Sequence, residues 1–270
     1  MEIPVITGRQ FATKFALRPQ QFSWFLGAGA SASAGIPTGY DMIVDFKATL
    51  FCQQTRIPRR ELDSTDPIWV ARIDQYFAQQ GTLPPAGDPS EYARAFESVY
   101  PSIEDRRTYI AQQVQRGSPS FAHRVLAALL TAGKTPCVFT TNFDNLVETA
   151  TTIAQDKLAV NQRRTLVVAA IDSVERAARS VRENDWPLLA KIHGDFQSVS
   201  LKNTEHELAV QDEKMRGVLV EVGRRFALVV AGYSGRDASV MAALNETLNA
   251  PNAYPGGIYW MTRSAQAVFP

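Results

Sequence analysis

The residues Phe22-Ser23-Trp24-Phe25-Leu26 form an apolar run that stops abruptly in the small-residue stretch GAGASASAG, Gly27 to Gly35. An apolar run bounded by glycine reads as a buried strand, and the glycines and alanines after it read as a tight turn and a helix start. Such a strand needs parallel neighbours reached by crossovers. The chain supplies them at Cys137 to Thr141, Leu166 to Ala169, Leu188 to Ile192, Phe226 to Ala231 and Ile258 to Met261. Helices are expected between these strands. Ser118 with Pro119 starts one over Phe121, Val125, Leu126 and Leu129, which Gly133 stops. Asn142 feeds another through about Ala154, and the charged stretch Asp172 to Asp185 reads as a solvated helix. Thr204-x-x-Glu207 is a capping box for a helix through about residue 222, and a last helix runs to about Leu248.

This rhythm makes the expected fold class α/β: a doubly wound, Rossmann-like parallel sheet with right-handed crossovers. Residues 40 to 117 break the rhythm. Pro58, Pro67, Pro84, Pro85, Pro89 and Pro101 punctuate amphipathic stretches there, no buried-strand run occurs, and GTLPPAGDPS is the clearest loop. The expected organisation is a sheet domain over 1–44 and 118–270 with a helical insertion over 45–117. The chain stops at Pro270 just after a strand, which suggests the front portion of a longer protein. With 28 basic and 27 acidic residues, it carries no polyelectrolyte footprint for nucleic acid or an anionic membrane. Its apolar runs are far shorter than the roughly 20 residues a membrane helix needs, and MEIPVITGRQ lacks the order of a secretion signal. Cys52 and Cys137 build neither a disulfide framework nor a zinc module, so a reducing cytoplasm is expected.

Ligands of a doubly wound sheet bind beyond the carboxyl ends of its strands. Four expected strand ends carry polar or glycine signals: Gly27-Ala28-Gly29 with Ser31, Thr141-Asn142 with Asp144, His193-Gly194-Asp195, and Gly232-Tyr233-Ser234. Gly27, Gly29 and Ala32 fit the G-x-G-x-x-A dinucleotide fingerprint, whose helix N-terminus holds a pyrophosphate; a plain strand-to-helix turn is the competing reading. No acidic residue ends a second strand about 20 residues on, which disfavours hydride transfer, and no G-x-x-x-x-G-K-[ST] loop occurs.

GAGASASAGIPT, Pro119 with His123, TTNFD (Thr140 to Asp144), KIHGD (Lys191 to Asp195) and GYSGRD (Gly232 to Asp237) occur in the order found in sirtuin-like NAD-consuming enzymes, which the chain resembles outside 45–117. The resemblance implies NAD as substrate, with Gly27, Ala28, Gly29 and Ser31 at its diphosphate and Gly232, Tyr233 and Ser234 at the adenosine half. Ile36, Pro37, Thr38 and Thr141 complete the implied binding set. Asn142 and Asp144 are implied at the nicotinamide ribose and carboxamide, and His193 as general base. Deacylating sirtuins instead continue from the glycine loop into proline-aspartate-phenylalanine-arginine and carry a four-cysteine zinc module, whereas Pro37-Thr38-Gly39-Tyr40 stands here. The pattern is thus similar to the sirtuin-like NAD hydrolases of prokaryotic antiviral systems, and in size to the N-terminal domain of proteins paired with short Argonautes. An NAD glycohydrolase gated by partner binding or homo-oligomerisation is the implied function, without a metal. A sensing module that binds NAD or ADP-ribose uncleaved, and an NAD-dependent acyl or ADP-ribosyl transferase, are the alternatives.

The chemistry agrees with hydrolysis, because nicotinamide leaves a cationic pyridinium as a neutral molecule and needs no acid of the kind an ordinary glycoside requires. An amide can orient a water and a histidine can take its proton, while Asp144 can hold the carboxamide or stabilise a cationic transition state. The bland readings are that Asn142 caps its helix, that His193 is a core histidine bonded to a carbonyl, that His123 is structural, and that Tyr259 and Trp260 pack the sheet rather than flank an adenine.

Overall fold

The computed structural model describes residues 4–88, 90–193, 205–235 and 237–262, with 205–212 described by helical backbone alone. The expected Thr204-x-x-Glu207 capping box, together with Gly194, Asp195 and Arg236, lies outside the described residues. In chain order the elements are α1 (Gly8–Leu17), β1 (Phe22–Leu26), α2 (Gly29–Ala32), α3 (Gly39–Thr55), α4 (Pro67–Gln80), α5 (Glu91–Val99), α6 (Ile103–Gln115) and α7 (Phe121–Thr131). There follow β2 (Cys137–Thr140), α8 (Leu146–Asp156), β3 (Val167–Ala170), α9 (Val174–Glu183), β4 (Leu188–Lys191), α10 (Glu205–Gly223), β5 (Ala227–Ala231), α11 (Ala238–Leu248) and β6 (Ile258–Met261). The strands form one sheet in the order β3-β4-β2-β1-β5-β6, and every pairing is parallel. Chain contacts divide the molecule into two compact units, Met1–Ala34 with Gly117–Pro270, and Gly35–Arg116.

The first unit holds the sheet. Successive residues of a strand face opposite ways, so a strand covered on both sides must be apolar throughout. Phe25, Phe139, Ala190 and Val230 pack with Val181, Met215, Val222 and Val240 from the helices of one face. Leu26, Val138 and Leu189 pack with Leu126, Leu130 and Val147 on the other. The α9 helix is more than the expected solvated rod, because Val174, Ala177 and Val181 bury an apolar stripe in the first of these clusters. The α7 helix starts later than expected: Ser120 is its N-cap, with His123 completing a capping box. The α1 helix is not among the elements expected from the sequence. Its Thr7 and Gln10 form a capping box, and Phe11 and Phe15 meet Phe22, Trp24 and, through Phe11, Tyr259 with ring centroids 5.2–6.5 Å apart.

The second unit, Gly35–Arg116, is helical. Phe46 of α3 stacks on Phe96 at 4.8 Å and meets Tyr109 at 5.2 Å, and a neighbouring cluster joins Phe51, Ile73 and Phe77. Between these apolar groups α3 buries Lys47, whose Nζ pairs with Asp74 at 2.7 Å and with Glu91. Burial alone would lower the Lys47 pKa, but hydrogen bonds to Asp74 and Glu91 and their charges raise it overall. Removing the ammonium would leave the buried Glu91 carboxylate without its counter-charge, and breaking a pair this way costs far more than the pair is worth against an apolar replacement. Lys47→Ala is expected to destabilise this unit by about 3–5 kcal/mol. Urea unfolding followed by tryptophan fluorescence, which Trp69 reports, checks it; a loss below about 1 kcal/mol contradicts the assignment.

Candidate functional site

The four motif-bearing strands β4, β2, β1 and β5 are contiguous in the sheet. Leu26 is level with Thr140 on one side and Ala231 on the other, and Thr140 is level with Lys191, so the four loops leave the sheet from one rim. At about 4.8 Å per strand the row is about 14 Å wide. From β1 the chain builds β2, β3 and β4 on one side and then crosses to β5 and β6 on the other, so strand order reverses at the β1–β5 boundary, where a doubly wound sheet places its ligand crevice.

The glycine loops of β1 and β5 interlock at that boundary. Gly27 N–H donates to Ala231 O at 3.0 Å and Gly29 N–H to Gly232 O at 2.8 Å. A Cβ on Gly27 would lie 2.6 Å from Gly232 O, and one on Gly232, whose φ is +67°, would lie 2.1 Å from Ala30 N. The fingerprint reading expected a helix whose unpaired first-turn amides face a pyrophosphate. The structure corrects that in part: α2 is a single turn, and the Gly29 amide is engaged by the β5 loop. The glycines are required for two backbones to touch. Ala28, Gly232 and Ser234 remain exposed along this junction.

Behind the loops lies a directed chain of hydrogen bonds. Ser31 Oγ donates to Asp144 Oδ2 at 2.7 Å, so its lone pairs accept, and Asn142 Nδ2 donates to Ser31 Oγ at 3.0 Å and to Gly27 O at 3.1 Å. Rotating the amide by half a turn would set its oxygen against two acceptors, so the chain fixes the orientation of Asn142. Its Oδ1 is thereby aimed away from both, buried and without a hydrogen-bond partner among the described residues. Asn142 does not cap α8. That helix begins at Leu146, whose N–H donates to Asp144 Oδ1 at 3.1 Å, and the Asn142 N–H is held by Thr140 Oγ1 at 3.0 Å. Thr141 continues the ladder, its N–H donating to Leu26 O at 3.2 Å. Ser31 and Asp144 are both buried.

His193 follows β4 and is one-third exposed; its Nε2 lies 2.7 Å from Asp237 Oδ2. It is bonded to a carboxylate, so the carbonyl-bound core histidine is not what forms. Asp237 is the N-cap of α11, its Oδ1 accepting from Ser239 N at 2.9 Å and Val240 N at 3.1 Å. The hydrogen bond from His193 and those from the Val240 and Ser239 amides hold the Asp237 pKa below the ordinary aspartate range. Sequence reasoning missed Asp237 as a site residue; an acidic N-cap directly after a motif-bearing strand was the available signal. Tyr233 packs between Phe25 at 4.9 Å and Trp260 at 5.9 Å, and burial pushes its phenol pKa up. Trp260 Nε1 donates to Tyr233 O at 3.2 Å, whereas Tyr259 faces Phe11 and Phe22.

Ile36, Pro37 and Thr38 belong to the second unit. There Ile36 is buried, and Thr38 caps α3, its N–H and hydroxyl donating to Asp41 Oδ2 at 2.7 Å each. Cys137 is buried in β2, where desolvation raises its thiol pKa. Among the described residues no group of three His, Cys, Asp or Glu is disposed to hold a metal, and no helix is long and apolar enough to cross a membrane.

His123 is buried, with Nδ1 2.8 Å from Ser120 Oγ; burial lowers its pKa, and the Asp144 charge partly offsets this. A lowered histidine pKa means that the folded state prefers neutral imidazole, so its contribution is present above about pH 6.5 and is lost as pH falls through the folded value. His123→Gln keeps a capping-box residue and removes the titration. The wild type is therefore expected to lose melting temperature faster than this variant below about pH 6.5, and parallel curves would contradict it. Gly232→Ala should cost more than about 2 kcal/mol, through positive φ and backbone overlap together, measurable by urea unfolding.

Residues 136–268 match the family model of a SIR2-like domain. The match covers β2 to β6 with Asn142, Asp144, His193 and Asp237, and begins after the Gly27 loop. No curated protein matches the chain. Over that stretch the chain is similar to SIR2-like domains, and this similarity supports an NAD-related activity.

Proposed function

We propose that the chain is an NAD glycohydrolase that converts NAD and water to nicotinamide, ADP-ribose and a proton. The observation that carries this reading is the buried, unpartnered Oδ1 of Asn142. A buried acceptor without a donor is costly, at about 1–3 kcal/mol, and the cost is relieved when a ligand or ordered water supplies an O–H. Both the attacking water and the ribose hydroxyls of a pyridine dinucleotide are such donors.

In the proposed reaction the water oxygen bonds to the anomeric carbon of the nicotinamide ribose. The N-glycosidic bond breaks, its electron pair stays on the pyridine nitrogen, and nicotinamide leaves neutral. Asn142 Oδ1 orients the water or ribose, and His193 takes the released proton. The carboxylate of Asp144 lies one hydroxyl away from Asn142, where its charge favours the oxocarbenium-like transition state. Gly27, Ala28, Gly29, Ser31, Thr141, Gly232, Tyr233 and Ser234 are the proposed dinucleotide-binding set of the rim, and Ile36, Pro37 and Thr38 are carried by the family resemblance alone. A deacylase reading is weaker, since Cys52 and Cys137 cannot form a four-cysteine zinc module. Because unrestrained hydrolysis would empty the cell of NAD, activity is gated by a protein partner of the short-Argonaute kind or by self-assembly, in a cytoplasmic defence role.

The test is to incubate the full chain, alone and with its natural partner, with NAD and to resolve the products by chromatography. Nicotinamide and ADP-ribose are expected, faster in the assembly; NAD bound but intact would leave a sensor, and product attached to an acceptor would indicate a transferase. Asn142→Ala is expected to lower kcat by at least about 10²-fold while circular dichroism stays unchanged. An unaltered kcat contradicts the role given to Oδ1.

A further inference from the structure

Between β4 and β5 in the sheet lie β2 and β1, so the ends of the outer two are separated by about 14 Å. His193 and Asp237 nevertheless meet at 2.7 Å, one beyond each of those ends. The contact spans the strand ends that carry Asn142 and the Gly27 loop. Its two partners use different atoms for different tasks. Asp237 Oδ1 serves the first turn of α11, which needs only one oxygen, while Oδ2 is turned to the imidazole. Tyr233 Oη lies 3.5 Å from the Asp237 carbonyl, adding a second hold on the same residue.

An ionised carboxylate accepts hydrogen bonds and cannot donate them, so the nitrogen facing Asp237 must carry the proton. From this geometry, and resting on the hydrolase reading above, we propose that Asp237 is the positioning residue of His193: it takes the Nε2–H and leaves Nδ1 as the nitrogen that receives the proton of the attacking water. When the new oxygen–carbon bond forms and the N-glycosidic electron pair departs with nicotinamide, that proton moves from water to Nδ1. The resulting imidazolium is held against Asp237 until Nδ1 returns the proton to solvent. Without the carboxylate, the ring can turn or take the other tautomer, and the base faces the wrong way.

Asp237→Asn separates this role from helix capping. Asparagine caps as well as aspartate does, so α11 keeps its first turn. Its amide, however, donates to Nε2 and forces the proton onto Nδ1, the nitrogen that must accept. In the full chain under activating conditions, Asp237→Asn is expected to lower kcat for NAD by about 10²–10⁴-fold with KM changed less than about threefold. Imidazole ¹⁵N spectra are expected to show His193 passing from the Nε2–H to the Nδ1–H form. That spectrum is read without NAD, so it judges the coupling even if the chain proves to bind NAD without cleaving it. Wild-type kcat in Asp237→Asn, or an unchanged His193 tautomer, overturns the proposal. Should Asp237→Asn fail to fold, Asp237→Ser, which also caps, carries the same two readouts, with loss of kcat and of the fixed Nε2–H form expected.

Discussion

The hydroxyl of Ser31 has one proton, and it donates that proton in a hydrogen bond to Asp144. Everything distinctive about the rim depends on that direction. With its proton committed, Ser31 can only accept from Asn142, and the Gly27 carbonyl can likewise only accept, so the amide has one orientation and its oxygen one direction. Asp144 is itself fixed, because its second oxygen takes the Leu146 amide at the start of α8. The cost of the unpartnered oxygen is thus imposed by a network whose other members are satisfied. Partly satisfied buried networks are costly, and under the proposed function the open position at Asn142 Oδ1 is where a water or a ribose hydroxyl donates.

The Ser31–Asp144 chain works only because two turns are held in contact beside it. Gly27 and Gly29 on one loop and Gly232 on the other leave no room for a side chain, and their hydrogen bonds tie the end of β1 to the end of β5. This contact also explains why the fingerprint-like spacing is present although α2 is a single turn. The same small residues that let a backbone approach a pyrophosphate let it approach another backbone. Spacing alone does not separate the two uses.

Much of this architecture was legible in the sequence. All six strands fall within a residue of the segments expected, because runs such as Phe22–Leu26 and Cys137–Thr140 are apolar on both faces and end in glycine or polar residues. Two kinds of feature were not legible. The α1 helix is short and polar over much of its surface, and it is stabilised by Phe11 and Phe15 docking on Phe22, a long-range contact that local periodicity does not register. The partner of His193 was hidden for a related reason: Asp237 lies 44 residues later in the chain and has an ordinary local role as a helix cap. What joins them is strand order, which emerges only when the sheet is assembled. Asn142 was identifiable as a candidate, yet its capping alternative falls because α8 begins at Leu146, four residues further on, with Asp144 serving the Leu146 amide.

The distribution of charge around the rim follows from the same assembly. Asp144 and Asp237 place carboxylates on the β2 and β5 sides, and Lys191, buried at the end of β4, is paired with Glu148 of α8 at 2.8 Å. A lysine whose charge is matched by a neighbouring carboxylate adds little field at the strand ends, so among the described residues Asp144 and Asp237 supply negative charge there. In the proposed reaction that charge favours the pyridinium and the oxocarbenium-like state, whereas the departing nicotinamide is neutral and is not retained by it. The Asp237 carboxylate adds a further effect through its place at the head of α11: the helix amides that it caps favour its ionised form, which accepts the His193 N–H in a charge-assisted hydrogen bond and has no proton of its own to donate. Capping α11 and holding the His193 imidazole are therefore one arrangement of a single side chain, and in the proposed reaction the cap of α11 also orients the base.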